Sequence, residues 1–353
     1  MPTIGMIGSH SAEEIALAAK RARLKTFVFC QEGREKLYSK FNRFLFDEVM
    51  VLPKFEDIFD QQDKLEELDV IFIPNRSFAV YLGYDRIEKE LTIPMYGNRE
   101  ILRIEDRQFE RNQYWLLDKA GIRKPKQYSR DKIPSLAIVK VQQKKNVLER
   151  AFFYVTDSDD FEKKSLALIK DDIVSEEEIN NAIIEEFILG PRFNANIQSY
   201  ALIDRFGDFD FCGFDDRLQS NLSGILSLPA KDQLQLSVPL KNEEVGHYGV
   251  TMRESKKPMV YEAAYNFLRA CENYFPPGMI GLFSLQGAIN EFSEFVVFDV
   301  SPRVPGAPCV GPTSPEMQRL SFRHGRPLES ALDLSMMEIK YAIEQKRVGE
   351  ITT

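Results

Sequence analysis

"LFSLQGAINEFSEFVVFDVSPRVPG", residues 282–306, sets two apolar runs on either side of a polar turn and ends in a Pro- and Gly-punctuated loop. It reads as an antiparallel hairpin whose turn is Glu291 to Glu294, with Asn290 facing Phe295 and Gln286 facing Asp299. Directly opposed residues have Cβ atoms roughly 5 Å apart, so an amide oxygen and a carboxylate meet on one face. Asp299, Ser301 and Arg303 stand two apart, which puts all three side chains on one face of a strand. Magnesium takes hard oxygen donors, few from protein and the rest from water and phosphate, so this surface suits an Mg–nucleotide site. On the residues alone it is equally a cross-strand polar pair on a solvated face.

Working outward, "LAIVKV" is a strand carrying Lys140, a compact charge suited to phosphate oxygens, or else a solvent-facing lysine at a strand end. "AFFYVTD" is a second strand, and a helix rich in Lys and Asp follows it. "AIIEEFILG" is a third strand, running to Gly190. Its Glu185 and Glu186 suit hydrogen bonds to a nucleotide's amino group or ribose hydroxyls, although one of the two also reads as solvated. Ahead of these, "IEDRQFERNQYWLLDKAGI" reads as one charged helix from about residue 105, and residues 191–303 are rich in β patterning.

At the start of the chain, "PTIGMIGSHSAEEIALAAKRARLKTFVFC" gives strand, Gly-Ser-His loop, amphipathic helix and second strand, the opening of a doubly wound α/β domain. "LDVIFIPNRSFAVYLGYD" adds another strand ending in a polar loop. Ligands of such sheets gather at the carboxyl ends of the strands, so Ser9, His10, Ser11, Asn75, Arg76 and Ser77 are expected around one crevice. The closing "ALDLSMMEIKYAIEQKR" is helical, with Leu332, Met336 and Ile339 as its core face.

Composition narrows the classes. The 353 residues, 44% of them apolar, are enough for two or three domains with real cores. With 54 acidic and 46 basic residues the net charge is −8, which argues against a broad nucleic-acid footprint but leaves room for local basic pockets. Cys30, Cys212, Cys271 and Cys309 are scattered and are expected to be reduced and buried. No signal peptide and no stretch of about 18 apolar residues is found, so no membrane partner and a cytoplasmic location are expected.

The order of parts, Lys140, then an acidic strand at 185–190, then a paired Gln and Asp near 290, is that of ATP-grasp ligases. The chain also resembles, nearly end to end, the archaeal formate-dependent 5-formaminoimidazole-4-carboxamide ribonucleotide synthetases of purine biosynthesis. The blocks that carry the resemblance are "GSHSA", "PMYGNREILR", "AGIRKPKQY", "IEEFILG", "QSNLSGILSLPAKDQ", "MRES", "PPGMIGLFSLQ" and "VVFDVSPRVPG". The resemblance implies a mixed α/β and α+β chain, an ATP-grasp fold behind an N-terminal Rossmann-like domain. The expected boundaries are residues 1–100 for that domain, 101–190 for a small ATP-grasp subdomain and 191–353 for a large one with the metal site.

It further implies ATP and Mg²⁺ as cofactors, formate and aminoimidazole carboxamide ribonucleotide as substrates, and a homo-oligomer. His10, Ser77 and His247 fall on ribonucleotide positions, Lys140, Glu185, Glu186, Asn194 and Gln219 on ATP positions, Gln286 and Asp299 on metal ligands, and Arg303 on the group facing phosphate. The chain departs from the pattern in several places. The family's glycine-rich phosphate loop is "VQQKKNVLER", in which Lys144, Lys145 and Arg150 are left to supply charge. The usual metal Glu is Asp299, a nucleotide-contacting Glu is Gln219, a substrate-contacting Asn is His247, and a His-Gly pair is Asn75–Arg76. These changes leave two rivals open: a paralogue for another carboxylate or amine, and a non-catalytic ribonucleotide-binding subunit. Read without the resemblance, His10 is a loop-capping residue, His247 a loop histidine, and His324 in "SFRHGRPL" a surface one.

Overall fold

Residues 3–7, "TIGMI", are apolar at nearly every position rather than at alternate ones, the pattern of a strand covered on both faces. In the computed structural model this is β1 (Thr3–Ile7), fully buried and flanked by β2 (Lys25–Gln31) and β4 (Val70–Phe72), with β3 (Glu48–Leu52) outside β2. All pairings in this sheet are parallel. The structure describes residues 2–142, 150–203, 209–235, 244–306 and 310–353.

Helix Ala12–Arg21 crosses from β1 to β2, burying Ala12, Ile15, Ala16, Ala18 and Ala19. Glu13 and Glu14 lie in its first turn and Lys20 and Arg21 in its last, matching the helix dipole. The closing helix Leu332–Glu344 packs in the same apolar cluster, with Leu332, Met336 and Ile339 buried as expected. The last residues also return to the first sheet, where Gly97 N–H donates to the Ile351 carbonyl at 2.9 Å.

A second sheet, order β5-β8-β6-β7, is antiparallel throughout: β5 (Gln127–Tyr128), β6 (Ala137–Gln142), β7 (Arg150–Val155) and β8 (Ile183–Glu186). The strand expected to reach Gly190 therefore stops at Glu186. The "charged helix" from residue 105 is likewise shorter, with only Gln113–Lys119 helical after a turn at Arg103–Glu105. Asn112 caps it, its side chain accepting from the Tyr114 and Trp115 N–H groups, and so fixes the start eight residues late.

The third sheet runs β11-β10-β9-β12-β13, again antiparallel: β9 (Arg192–Ser199), β10 (Phe209–Gln219), β11 (Glu244–Val250), β12 (Gly281–Ile289) and β13 (Phe295–Ser301). One face is apolar. Phe193, Ala195, Ile197, Phe283 and Leu285 pack there against Val260, Ala264, Phe267 and Cys271 of helix Lys257–Tyr274, which the β-rich reading of 191–303 missed.

The register of β12 with β13 corrects the sequence reading. Ile289, not Asn290, faces Phe295, yet Gln286 still faces Asp299. A β-bulge at Phe298 reconciles the two, because it opposes one extra residue of β13 to the Gln286–Gly287 step. Without the bulge, Phe295, Val297, Asp299 and Ser301 would share a face. With it, Phe295 and Val297 join Val300 in the apolar core and Asp299 and Ser301 turn to the other side. Gly287 makes room for this, since a Cβ there would lie 2.3 Å from the Phe295 ring and 2.5 Å from the Val296 carbonyl oxygen. Gly287→Ala is therefore expected to cost about 1–3 kcal/mol of stability, measured by urea unfolding. An unchanged midpoint would contradict the bulge geometry.

Among the described residues no helix is long and apolar enough to cross a membrane. Cys30, Cys212 and Cys271 are free and buried, and Cys309 lies outside the described residues.

Candidate active site

The second face of the large sheet is polar and mostly buried. Asp299 on β13, Gln286 on β12, Asn194 on β9 and Asp215 on β10 are register partners in one row. Ser301, Ser284 and Asn196 form the next row. Apart from Asp299, whose side chain is 32% exposed, all of these are buried.

Buried polar groups need partners, and most here have them. Asp215 accepts from Asn194 Nδ2 at 2.8 Å and Asn196 Nδ2 at 2.6 Å. Gln286 donates to Ser301 Oγ at 2.8 Å and accepts from Arg217 at 2.6 Å. Among the described residues Asn196 Oδ1, Ser284 Oγ and Arg303 Nε are buried without a hydrogen-bond partner, unused polar capacity on this floor.

The open end of the row meets β11. Arg217 lies 3.1 Å from Glu244 Oε2, and His247 sits between two carboxylates, Nδ1 2.5 Å from Asp215 and Nε2 2.8 Å from Glu244. Burial pulls the His247 pKa down, but the hydrogen bonds to Asp215 and Glu244 outweigh it and lift it to about 9. Burial pushes Glu244 the other way, and its His247 bond and the Arg217 charge bring it down to about 2. His10 Nε2 reaches the same carboxylate at 3.2 Å.

His10 comes from the loop after β1, where Ser11 adopts a left-handed conformation (φ 69°) and donates to the Pro305 carbonyl at 3.1 Å. Asn75 Nδ2 donates to the His10 carbonyl at 2.5 Å, and Ser77 Oγ donates to Ser9 Oγ at 2.7 Å. The loop after β1 thus meets the segment after β4 and the loop that follows β13. That second segment is not the polar loop expected: it is helix Arg76–Leu82, begun early because the Asn75 side chain caps it by accepting from the Phe78 N–H. Arg303 enters this junction buried, with Glu105 Oε1 at 2.8 Å, and burial first, then nearby Arg76 and Arg217, lowers its pKa despite Glu105.

A third cluster joins the two antiparallel sheets. Glu185, fully buried, accepts from Lys140, from Arg107 at 3.1 Å and from Tyr114 OH at 2.9 Å. Burial, and then the Arg107 charge, lowers the Lys140 pKa to about 8. Arg107 and Tyr114 also hold the Phe298 carbonyl at the bulge, at 3.3 and 3.2 Å, and Gln113 Nε2 donates to Asp299 Oδ1 at 2.8 Å.

Family models described as "Domain of unknown function (DUF1297)" and "Protein of unknown function (DUF1246)" match residues 160–353 and 4–128. The chain is 36% identical over 308 residues to the 5-formaminoimidazole-4-carboxamide-1-(beta)-D-ribofuranosyl 5'-monophosphate synthetase of Methanopyrus kandleri, covering 86% of this chain and 83% of that protein. The synthetase of the same name from Methanocaldococcus jannaschii is 35% identical over 347 residues, 95% of this chain and 94% of its own. The chain belongs to this synthetase family.

The fold of the family chain agrees with solved structures. An IMP biosynthesis protein PurP from Thermococcus kodakaraensis superposes with a TM-score of 0.72 at 22% identity, over 99% of this chain and 100% of that one. The N5-carboxyaminoimidazole ribonucleotide synthetase of Thermotoga maritima gives 0.55 at 15% identity, over 94% and 78%. The architecture is that of the ATP-grasp enzymes.

Measured against this, Gln286 and Asp299 are paired, and His10 and His247 come together with ring centroids 6.0 Å apart. His247 is on a strand rather than a loop. Lys140 is not solvent-facing but buried on Glu185, and Glu186 is not solvated but paired with Arg123 at 2.9 Å. Gln219 lies opposite Glu244 and uses its backbone N–H on Ser223 Oγ at 3.2 Å. His324 is packed on Asp210 at 2.6 Å, its side chain 12% exposed, so it is not a surface residue. Lys144 and Lys145, and the side chain of Arg150, lie outside the described residues. Arg107, Gln113, Asp215, Arg217 and Glu244 were not anticipated. "DDR" at 215–217 carried the same two-apart signal as Asp299 and Ser301, whereas Arg107 and Gln113 were hidden in a segment read as one helix.

Proposed function

We propose that this chain joins formate to the 5-amino group of 5-aminoimidazole-4-carboxamide ribonucleotide, with ATP activating formate as formyl phosphate. The observation that carries the reading is the single polar face. It has a hard-oxygen pair, Gln286 and Asp299, in one row, and at its open end the His10 loop with Arg217 and Arg303. An acyl-phosphate ligase needs both parts on one surface.

In the proposed reaction a formate oxygen attacks the γ-phosphorus, ADP leaves, and the amine then attacks the formyl carbon. The C–N bond forms as the C–O bond to phosphate breaks, and phosphate takes the amine proton. No side-chain nucleophile is required, so the protein's task is positioning and charge stabilisation. Arg303, whose buried Nε has no hydrogen-bond partner among the described residues, is the proposed contact for the transferring phosphoryl group.

The donor chemistry fits Mg²⁺, which takes one or two carboxylates and completes its shell with water and phosphate oxygens. Asp299 would hold it together with Gln286, whose Oε1 accepts from Arg217 at 2.6 Å in this structure. When bound, the ion neutralises phosphate charge. Lys140, tied to Glu185, and Glu186, Asn194 and Gln219 remain the proposed ATP contacts, and Ser77 and His247 the ribonucleotide contacts with His10.

His10→Ala is expected to weaken ribonucleotide binding about 10- to 150-fold, the roughly 1.5–3 kcal/mol of a hydrogen bond to a charged group, while ATP affinity stays the same. Equal losses for both ligands would point to a global defect. One observation favours a second reading. Glu244 already engages both His10 and His247, so a pocket reshaped for another carboxylate or amine is the rival. Isothermal titration with Mg-ATP tests the ligase reading itself, because a ligase must bind it. Binding of the ribonucleotide alone would leave a non-catalytic binding subunit.

A further inference from the structure

We propose that His10, Glu244 and His247 form a site for a divalent transition-metal ion of the zinc class, separate from the Gln286–Asp299 pair. The three donors come from two distant segments, the loop after β1 and strand β11, and their ligand atoms all lie within 4.8 Å of one another. His247 Nε2 and His10 Nε2 approach the same oxygen, Glu244 Oε1, at 2.8 and 3.2 Å. A tetrahedral ion with bonds of about 2.0–2.1 Å holds its ligand atoms roughly 3.3 Å apart, close to the two distances from Glu244 Oε1.

Four further features are those of a metal site rather than of an isolated ion pair. The second nitrogen of His247, Nδ1, is 2.5 Å from Asp215 Oδ2, the carboxylate–histidine arrangement that fixes the ring and leaves Nε2 for a metal. Asp215 is itself held by Asn194 and Asn196, so the ring orientation is anchored in the sheet. Arg217 Nε lies 3.1 Å from Glu244 Oε2, an ion pair on the oxygen the two histidines do not share, although not in hydrogen-bond geometry. Gly306 supplies the room, because a Cβ there would fall 1.6 Å from His10 Nε2.

Imidazole nitrogens suit zinc, cobalt, nickel and copper, whereas magnesium prefers all-oxygen shells. Two His and one carboxylate leave a coordination position open, and the 40% exposed His10 side chain provides the entry side. A water or an anionic oxygen of phosphate or carboxylate type takes that position. The proposal does not rest on ligase activity, and its readout is metal binding alone.

The test is a titration of the chelator-treated full chain with Co²⁺ by visible absorption, followed by Zn²⁺ in competition with a chromophoric chelator. One ion per chain is expected, with a His-ligated cobalt band that Zn²⁺ removes and excess Mg²⁺ does not. His247→Asn retains an amide N–H toward Asp215 but loses Nε2, and is expected to weaken binding more than about 100-fold, with Asp215→Asn weakening it about 10- to 100-fold. His10→Gln, on the exposed loop, serves as the second ligand variant where His247→Asn fails to fold. Absence of the cobalt band, or equal affinity in the parent and a folded ligand variant, overturns the proposal.

Discussion

Asp299→Asn is expected to lower ATP-dependent turnover by about 100-fold or more, the scale of losing one electrostatic contact to transition-state charge. Asn is nearly isosteric and still offers an oxygen to Gln113 Nε2, which donates to Asp299 Oδ1 at 2.8 Å, so the β13 edge remains anchored. The carboxylate is a third exposed and lies 3.6 Å from Arg107, so losing its charge costs the fold less than about 1 kcal/mol. What disappears is the one negative charge in the Gln286–Asp299 pair. Steady-state ADP release beside urea unfolding separates the two effects. Parental turnover in a folded variant would remove Asp299 from the metal site, and a matching loss of stability would reassign it to the scaffold.

Glu185→Ala is expected to destabilise the chain by about 3–5 kcal/mol, because it removes a fully buried anion from two cations, Arg107 and Lys140, whose side chains are each only 12% exposed. Tyr114 OH also loses its 2.9 Å acceptor. Glu185→Gln keeps an acceptor for Tyr114 and should cost less. The pH dependence follows from Lys140, whose pKa falls from 10.5 to about 8 in the folded chain. Between those values the unfolded chain holds more protons than the folded one, so this group makes stability rise with pH across the window. Below about pH 8 the cost of burying the charge is present in full. Without Glu185 the folded pKa drops further and the window opens at lower pH. Urea unfolding at pH 7 and pH 9 measures both, and a loss near that of an exposed pair, under about 1 kcal/mol, would contradict the buried-cluster account.

Much of the architecture was legible because it rests on local periodicity. The near-continuous apolar run of β1, the helix Ala12–Arg21 and the closing helix all followed from patterns of burial that short windows reveal. The Gln286–Asp299 pairing was also anticipated, but by a route the structure revises. A turn placed one residue away and a bulge at Phe298 offset each other, and a bulge leaves no period-2 trace in sequence. Helix Gln113–Lys119 was overextended because the cap at Asn112 sits inside a run of charged residues that looked uniformly helical.

The partners of the candidate site were less legible, since they depend on long-range approach. Arg107 meets Glu185 and the Phe298 carbonyl across sequence separations that no window spans. Glu244 and His247 lie near in sequence, yet their meaning appears only when His10 arrives from the first strand-end loop. Lys140 and Glu185 were recognised individually. Their mutual burial, which makes them a structural as well as a nucleotide-facing pair, was not.

The most direct measurement of the ligase reading is ADP release with Mg-ATP, formate and the aminoimidazole carboxamide ribonucleotide, each omitted in turn. The account predicts full ADP release only with all three present, in step with formylated ribonucleotide. ADP release indifferent to formate, or none from the folded parent chain with every component supplied, would contradict it.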